Sequence, residues 1–286
     1  MANLKEIRNR ITSVSSTMQI TSAMKMVSAA KLKKAQDAIT AMRPYAEKLT
    51  ELLQNVSASL DGENGSKYSE QRPVNKILVV AITSNRGLSG AFNANIVKQS
   101  KNLVEKIHAG KQVDFVTIGK KGNDIIKKTN TVINNNNSVF DDLTFHNVAA
   151  IAEELMQLFV EGQYDKIELV YNQFKNAATQ IIITEQFLPI VPIESDSKNQ
   201  VDYLFEPSKE QIIEELIPLS LKTQLYKAIR DSFASEHGAR MTAMHKATDN
   251  ATELRNQLKL TYNKARQAAI TNEILEIVGG AEALKS

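Results

Sequence analysis

At both ends of the chain, apolar residues recur at alternating three- and four-residue steps for far longer than an ordinary globular helix requires. In the first end the series is Leu4, Ile7, Ile11, Val14 and Met18, then Leu32, Ala35, Ile39, Met42, Ala46, Leu49, Leu53, Val56 and Leu60. Only Thr21, Lys25 and Ser28 break it. A stripe held that long predicts a coiled-coil seam, so residues from about Asn3 to Leu60 and from about Ser208 to Val278 read as two very long helices. At about 1.5 Å per residue, helices of roughly 55 to 70 residues run about 80 to 105 Å, more than a central domain could cover. One helix enters the middle segment and the other leaves it, so pairing them gives an antiparallel two-stranded shaft.

The ends carry helix punctuation. Asn3 with Glu6, and Ser208 with Gln211, have capping-box spacing, in which side chains satisfy the orphan N–H groups of a helix start. Gly279-Gly280 predicts a C-terminal stop. Pro44 and Pro218 fall inside the periodic pattern and predict kinks or interruptions.

In the middle, Lys76 to Ile82 is an unbroken apolar run typical of a buried strand. A turn from Thr83 to Gly90 follows, then a helix from about Ala91 to His108 and a strand from Gln112 to Ile118, which together make a βαβ unit. A helix near Phe145 to Glu161 and strands near Lys166 to Phe174 and Thr179 to Phe187 come next, with polar Asn134 to Asn137 read as a loop. The fold class is thus α/β: a long antiparallel two-helix coiled coil formed by the N- and C-terminal helices, with a central Rossmann-like α/β domain. The expected divisions are a shaft helix over 1–60, a linker over 61–75 rich in Gly, Ser and charge, a central domain over 76–207 and a second shaft helix over 208–286.

Charge is unevenly placed. The net charge is only +3, yet seven Lys or Arg face one acid, Glu6, between Met1 and Lys34. That segment should seek an acidic partner. Nucleic acid fits less well, because no Phe, Tyr or Trp precedes Tyr45. No stretch approaches the roughly 18 apolar residues that span a bilayer, and the opening MANLKEIRNR has no apolar signal core, so a chain that neither crosses a membrane nor is exported is expected. The absence of cysteine removes disulfides and thiolate chemistry and suits a reducing compartment.

Chemistry is hard to find. The loop Asn85-Arg86-Gly87-Leu88-Ser89-Gly90 sits where nucleotide-binding folds hold phosphate, but it lacks the three glycines of the dinucleotide fingerprint. A tight turn whose glycines permit close helix and strand packing is the reading it supports. His108, His146, His237 and His245 have no metal-ligand spacing beyond the weak pair His237 and His245. Ser235 and Glu236 read as chance helix neighbours. No catalytic residue, cofactor or metal is expected. On the last helix, Met241, Met244, Ala247, Ala251, Leu254, Leu258, Tyr262, Ala265 and Ala269 form a slim face on which two helices can approach closely.

Four blocks carry a resemblance: IRNRITSVSSTMQITSAMKMVSAAKLKKAQ followed by RPYAE, then ITSNRGLSGAFNANI, VDYLFEPS, and SEHGARMTAMHKATDNATELRNQLKLTYNKARQAAITNEILEIVGGAEAL. Together they are similar to the gamma subunit family of F-type ATP synthases over nearly the whole chain. Departures are small: Asn85 stands where the family commonly has an acid, and Ser89 where it often has Cys. The chloroplast form's thiol-bearing insertion and a transit peptide are absent, which favours a bacterial-type protein.

The resemblance implies a non-catalytic central rotor stalk that couples ion flow through a membrane ring to the conformational cycle of catalytic subunits. The implied partners are an alpha3-beta3 ring, an epsilon subunit and a c-subunit ring, with no nucleic acid. The implied location is peripheral, on the cytoplasmic face of the cell membrane. By position in the family, Met24, Lys25, Met26, Lys31, Lys33, Lys34, Arg240, Arg266 and Gln267 would meet the beta subunits, and Tyr203 and Glu206 the c ring or epsilon. The polar break at Thr21, Lys25 and Ser28 would then mark either where the shaft faces its surroundings or local polar packing within the helix pair. Two other classes stay open on the residues alone, a basic coiled-coil nucleic-acid-binding protein and a small α/β enzyme with helical extensions.

Overall fold

The computed structural model describes residues 4–58, 67–190 and 209–283. In chain order the elements are α1 (Leu4–Ala58), β1 (Lys76–Ile82), α2 (Phe92–Asn102), which runs into a π-helical turn (Leu103–Ile107), β2 (Gln112–Ile118), α3 (Lys120–Ile126), β3 (Val132–Asn135), a short 3-10 turn (Ser138–Phe140), α4 (Phe145–Val160), β4 (Lys166–Phe174), β5 (Gln180–Leu188) and α5 (Lys209–Ala283). They make two compact bodies, one of residues 29–240 and one of residues 1–28 with 241–286. The caps expected at Asn3 and Ser208, and the seam end at Leu60, lie outside the described residues.

The larger body is built on a five-stranded sheet of order β3-β2-β1-β4-β5, parallel except for β5. Every residue from Ile77 to Ile82 is fully buried. Both faces of β1 are covered, which is why the run is apolar without alternation. Leu78, Val80 and Ile82 face a core shared with Val148, Leu155 and Phe159 of α4 and with Leu221, Leu225 and Ile229 of α5. Ile77, Val79 and Ala81 face Ile96 and Val97 of α2, Phe115 and Ile126. Close approach at the ends of β1 and β2 is licensed by glycine: a Cβ on Gly119, whose φ is +108°, would meet the Thr83 carbonyl oxygen at 2.4 Å, and one on Gly122 would meet the Thr83 side chain at 2.7 Å.

The smaller body is an antiparallel helix pair. Arg8 bonds Tyr262, Met18 lies against Arg255, and the Thr21 and Thr248 hydroxyls are 2.8 Å apart. Movement toward the start of α1 thus matches movement toward the end of α5. The seam on α5 runs through Met244, Thr248, Ala251, Arg255, Leu258, Tyr262 and Ala265, all buried or half-buried, at steps of four and three. Leu254, which the slim-face reading included, is instead 39% exposed.

Several expectations are corrected. The break residues Thr21 and Ser28 are buried, Thr21 bonding Thr248 across the pair and Ser28 donating to the Met24 carbonyl of its own helix at 2.8 Å. Of the two readings left open for the break, polar packing within the pair holds at Thr21. Neither proline ends its helix, since α1 continues through Pro44 and α5 through Pro218. Buried Ile39 and Leu49 flank the first, and Ile217 and Leu221 the second, so packing on both sides holds the helix across the missing N–H. Gly279 and Gly280 do not stop α5, which reaches Ala283. Glycine permits a stop without requiring one, at a helical cost of about 1 kcal/mol each. The helix read as ending at His108 is α2 followed by the π turn, and the loop at Asn134 to Asn137 contains the end of edge strand β3. Helix α3, only seven residues long, gave no periodic signal.

Candidate functional site

In an open α/β sheet, ligands bind in the crevice beyond the carboxyl ends of the strands, where the strand order reverses. Here that place lies between β1 and β4, and α5 fills it. Ser235 donates to the Asn172 carbonyl of β4 at 3.0 Å. One turn on, a Cβ on Gly238 would meet the Ala177 backbone at 3.2 Å, so glycine lets the helix sit directly on the turn after β4. The Arg240 guanidinium then donates to the carbonyls of Arg86 and Gly87 in the turn after β1, at 3.1 and 3.2 Å. The turn read as a poor phosphate loop presents its carbonyls to an arginine of the same chain.

Buried charge holds this seat together. Arg240 also pairs with Glu236 one helical turn back, both side chains 9% exposed. Burial pushes the Glu236 carboxyl up, opposed by Arg240, Lys31 and Arg86. Removing one partner of such a pair strands the other charge, which typically costs about 3 to 5 kcal/mol. His237 packs edge-on against Phe233 with ring centroids 4.5 Å apart, and its Nε2 is buried without a partner among the described residues. Burial, then Arg240 and Lys31, bring the imidazole down to about 4, so it is neutral near pH 7.

The turn after β1 is tight without being an anion cradle. Gly90 has φ +60° and Leu88 has φ +62°, a conformation uncommon for a branched side chain. Asn93 accepts from the Ser84 N–H at 2.9 Å, and Asn85 accepts from the Lys120 N–H at 3.0 Å while donating to Asn137. Of this turn's glycines, Gly87 makes no close approach, a Cβ there finding only the end of Lys121 at 3.8 Å, whereas close approach is required at Gly119, Gly122 and Gly238.

At the opposite, amino end of β4, His108 bonds Glu168 at 2.8 Å and Lys166 bonds the other carboxylate oxygen at 2.6 Å. Burial would raise Glu168, but these bonds carry it below its usual range. His245 is on the exposed side of α5, 3.4 Å from Asp249. No group of three or more metal-ligating side chains occurs among the described residues.

The residues nominated for partner contact fall into distinct settings. In the helix pair, Met24 and Lys25 are half-buried and Met26 is 65% exposed, beside exposed Ile20 and Val27. In the larger body Lys31, Lys33 and Lys34 are exposed on α1 around buried Leu32 and Ala35. Arg266 and Gln267 are exposed on α5. Arg240 is brought together with Glu236, Arg86 and Gly87 of its own chain rather than left free. Tyr203 and Glu206 lie outside the described residues.

Sequence reasoning passed over Ser235, Glu236 and Gly238, taking the first two as chance neighbours. They have separate jobs, on β4 and on Arg240. The available signal was a glycine inside a strongly periodic helix, which marks a close approach. At the end of α5 it nominated Arg266 and Gln267 but not the apolar residues around them; every residue from Arg266 to Ala281 is exposed, Ile270, Ile274, Leu275, Ile277 and Val278 at 47 to 65%. An apolar stretch open on all sides of one helix is the mark of a surface that a partner covers.

A family model described as ATP synthase matches residues 3–284. The ATP synthase gamma chain of Flavobacterium psychrophilum is 76% identical over 286 residues, covering all of both chains. That of Geobacter metallireducens is 45% identical over 287 residues, again covering all of both. Among solved structures, the rotor of the Euglena gracilis mitochondrial ATP synthase aligns with a TM-score of 0.70 over 93% of this chain and 98% of that one, at 22% identity, a likeness of fold. The central stalk and c-ring structure of the Tetrahymena thermophila mitochondrial enzyme aligns with a TM-score of 0.58 at 26% identity over 80% of this chain and 99% of that one.

Proposed function

The chain belongs to the ATP synthase gamma-chain family and is a central-stalk rotor subunit, and from that premise we propose how its surfaces act. The observation that carries the proposal is the end of α5, a single helix exposed on every side, with Ile270, Ile274, Leu275, Ile277 and Val278 spread over about half of its circumference. Such a helix suits the axis of a ring, where walls of an alpha3-beta3 assembly surround it. A rotor without symmetry offers each of three like catalytic subunits a different face at each angle, and differential contact biases their conformations.

In this reading the subunit is non-catalytic, because its own helix fills the crevice where a ligand would bind. Lys31, Lys33 and Lys34 form a basic collar for acidic loops of the beta subunits, with Met24, Lys25 and Met26 as a further contact on α1 and Arg266 and Gln267 on α5. A contact from Arg240 requires its guanidinium to leave Glu236 and the carbonyls of Arg86 and Gly87. Tyr203 and Glu206 would meet the epsilon subunit or the c ring, seating the assembly peripherally on the cytoplasmic face of the membrane. No helix among the described residues is long and apolar enough to cross a bilayer, which is compatible with attachment through partners.

The test is to assemble the chain with its cognate alpha and beta subunits, attach a bead to the exposed face of α2, and watch it under ATP. Stepwise one-way rotation is expected. A complex that hydrolyses ATP while the bead stays still would overturn the rotor mechanism proposed here.

A further inference from the structure

The two helical layers on the sheet differ in charge. Residues 138–163, which include α4, hold five acids and no Lys or Arg, whereas residues 94–128, which include most of α2, the π turn and α3, hold eight lysines and three acids. The acids of α4 find internal partners: Glu153 pairs with Lys222, and Glu154 accepts from Asn134 at 2.9 Å. The lysines Lys98, Lys101 and Lys106 are exposed and have no hydrogen-bond or ion-pair partner among the described residues.

These three lysines rim one groove of about 440 Å³ between α2 with its π turn and α3, with Val97 and Ile125 in its walls. The π turn explains how they converge. Lys98 and Lys101 are three apart and share a face. Lys106 lies five further on, which in a regular α-helix would turn it well away at about 100° per residue. The wider turn, closed by the bond from the His108 N–H to the Leu103 carbonyl at 2.8 Å, takes up an extra residue and brings Lys106 back toward the groove. Ile107 beside it is 57% exposed and Ile125 is 41% exposed, so apolar surface accompanies the charge.

We propose that this groove docks an acidic, partly apolar peptide segment of a partner protein. Charge selects the class of partner, and the shape selects within it. A free phosphate would meet the lysines but not the apolar walls, and a flat anionic bilayer would meet the rim but not the floor. A segment with carboxylates spaced around one or two aliphatic side chains meets both, with Glu105 on the rim disfavouring an acid at that one position. The proposal is independent of the rotor reading, and its test uses the full chain alone.

The experiment titrates the full chain into a fluorescein-labelled peptide of repeating Glu-Leu-Glu-Glu and follows anisotropy at low and high salt. The basic collar on α1 is removed from the comparison by working in a Lys31→Glu, Lys33→Glu, Lys34→Glu background. Adding Lys98→Gln, Lys101→Gln and Lys106→Gln, all exposed and therefore harmless to folding, is expected to weaken binding at least about tenfold. Replacing the peptide's leucines by serine is expected to weaken it several-fold on the unaltered groove. Equal affinity with and without the three lysines would overturn the proposal. So would binding of phosphatidylglycerol vesicles that depends on the same lysines and displaces the peptide, which would make the surface a membrane contact, or displacement by millimolar inorganic phosphate, which would make it a simple anion site.

Discussion

The body of residues 29–240 closes on itself, and the helix pair of residues 1–28 and 241–286 does not. In the first, strands buried on both faces, a helix seated in the sheet crevice and a paired Glu236 and Arg240 complete the interior, while Ile107 and Ile125 stay exposed at its surface groove. In the second, one seam is satisfied, and beyond it α5 carries isoleucines, leucine and valine into solvent. The contrast teaches where stability and function reside. A region that meets its own needs is a platform, and a region that leaves apolar surface unmet is completed by something else.

The sharpest way to break this contrast is to remove packing from the platform. Phe159 is fully buried under the Arg72 guanidinium, 5.1 Å from its ring centre. Phe159→Ala should cost about 3 to 5 kcal/mol in denaturant unfolding of the isolated chain. A loss under about 1 kcal/mol would mean that the larger body relaxes around cavities as readily as a loose helix pair, and the contrast would fail.

A smaller effect comes from protons. His237 is held neutral down to about 4, below its ordinary value of about 6.5, so the folded state binds its proton later than the unfolded state does. Its contribution to stability is therefore fully present above about pH 6.5 and is lost as pH falls toward about 4. Glu236, raised by burial and opposed by Arg240, has the opposite sign, favouring the fold at low pH and losing that advantage as pH rises through its folded value. The two are separated by a difference experiment. His237→Phe, which fits a site already lined by Phe233, should flatten the fall in stability between about pH 6.5 and 4. An unchanged slope would place the acid sensitivity elsewhere.

How much of this was legible in the sequence follows from which forces are local. The long seams, the βαβ unit and strands β1, β2 and β4 to the residue were readable, because periodicity and apolar runs are written in neighbouring residues. The stop expected at Gly279-Gly280 and the interruption allowed at Pro44 and Pro218 do not occur. Pro44, Pro218, Gly279 and Gly280 have local preferences that packing overrode, or that the helix bore at modest cost. The seat of α5 was not legible, since Ser235 meets Asn172 and Arg240 meets Arg86 across long stretches of chain. Only Gly238, a small residue where a helix former would serve better, hinted at it. Membership of the family was legible from whole blocks of residues, and contacts with partners were nominated by position in that family alone. Isolation explains why the polar break was ambiguous: Thr21 bonding Thr248 looks, in one dimension, like a residue facing outward.

The smallest expected effect is the most informative about the open end. Ile274, Leu275 and Ile277 are 55, 63 and 65% exposed, so truncating each should change the stability of the isolated chain by no more than about 0.5 kcal/mol. Burial of such a side chain is worth about 1.5 to 3 kcal/mol, so once a ring covers the tip the same changes should weaken the complex. Ile274→Ser, Leu275→Ser and Ile277→Ser combined should thus leave the unfolding curve of the free chain in place, yet speed dissociation of its complex with alpha and beta subunits on dilution. If the free chain is destabilised instead, the tip is packed against its own molecule in solution. If neither quantity moves, the ring does not grip α5 through these three side chains, and the bearing surface must lie nearer the seam, at Met26 and the basic residues of α1.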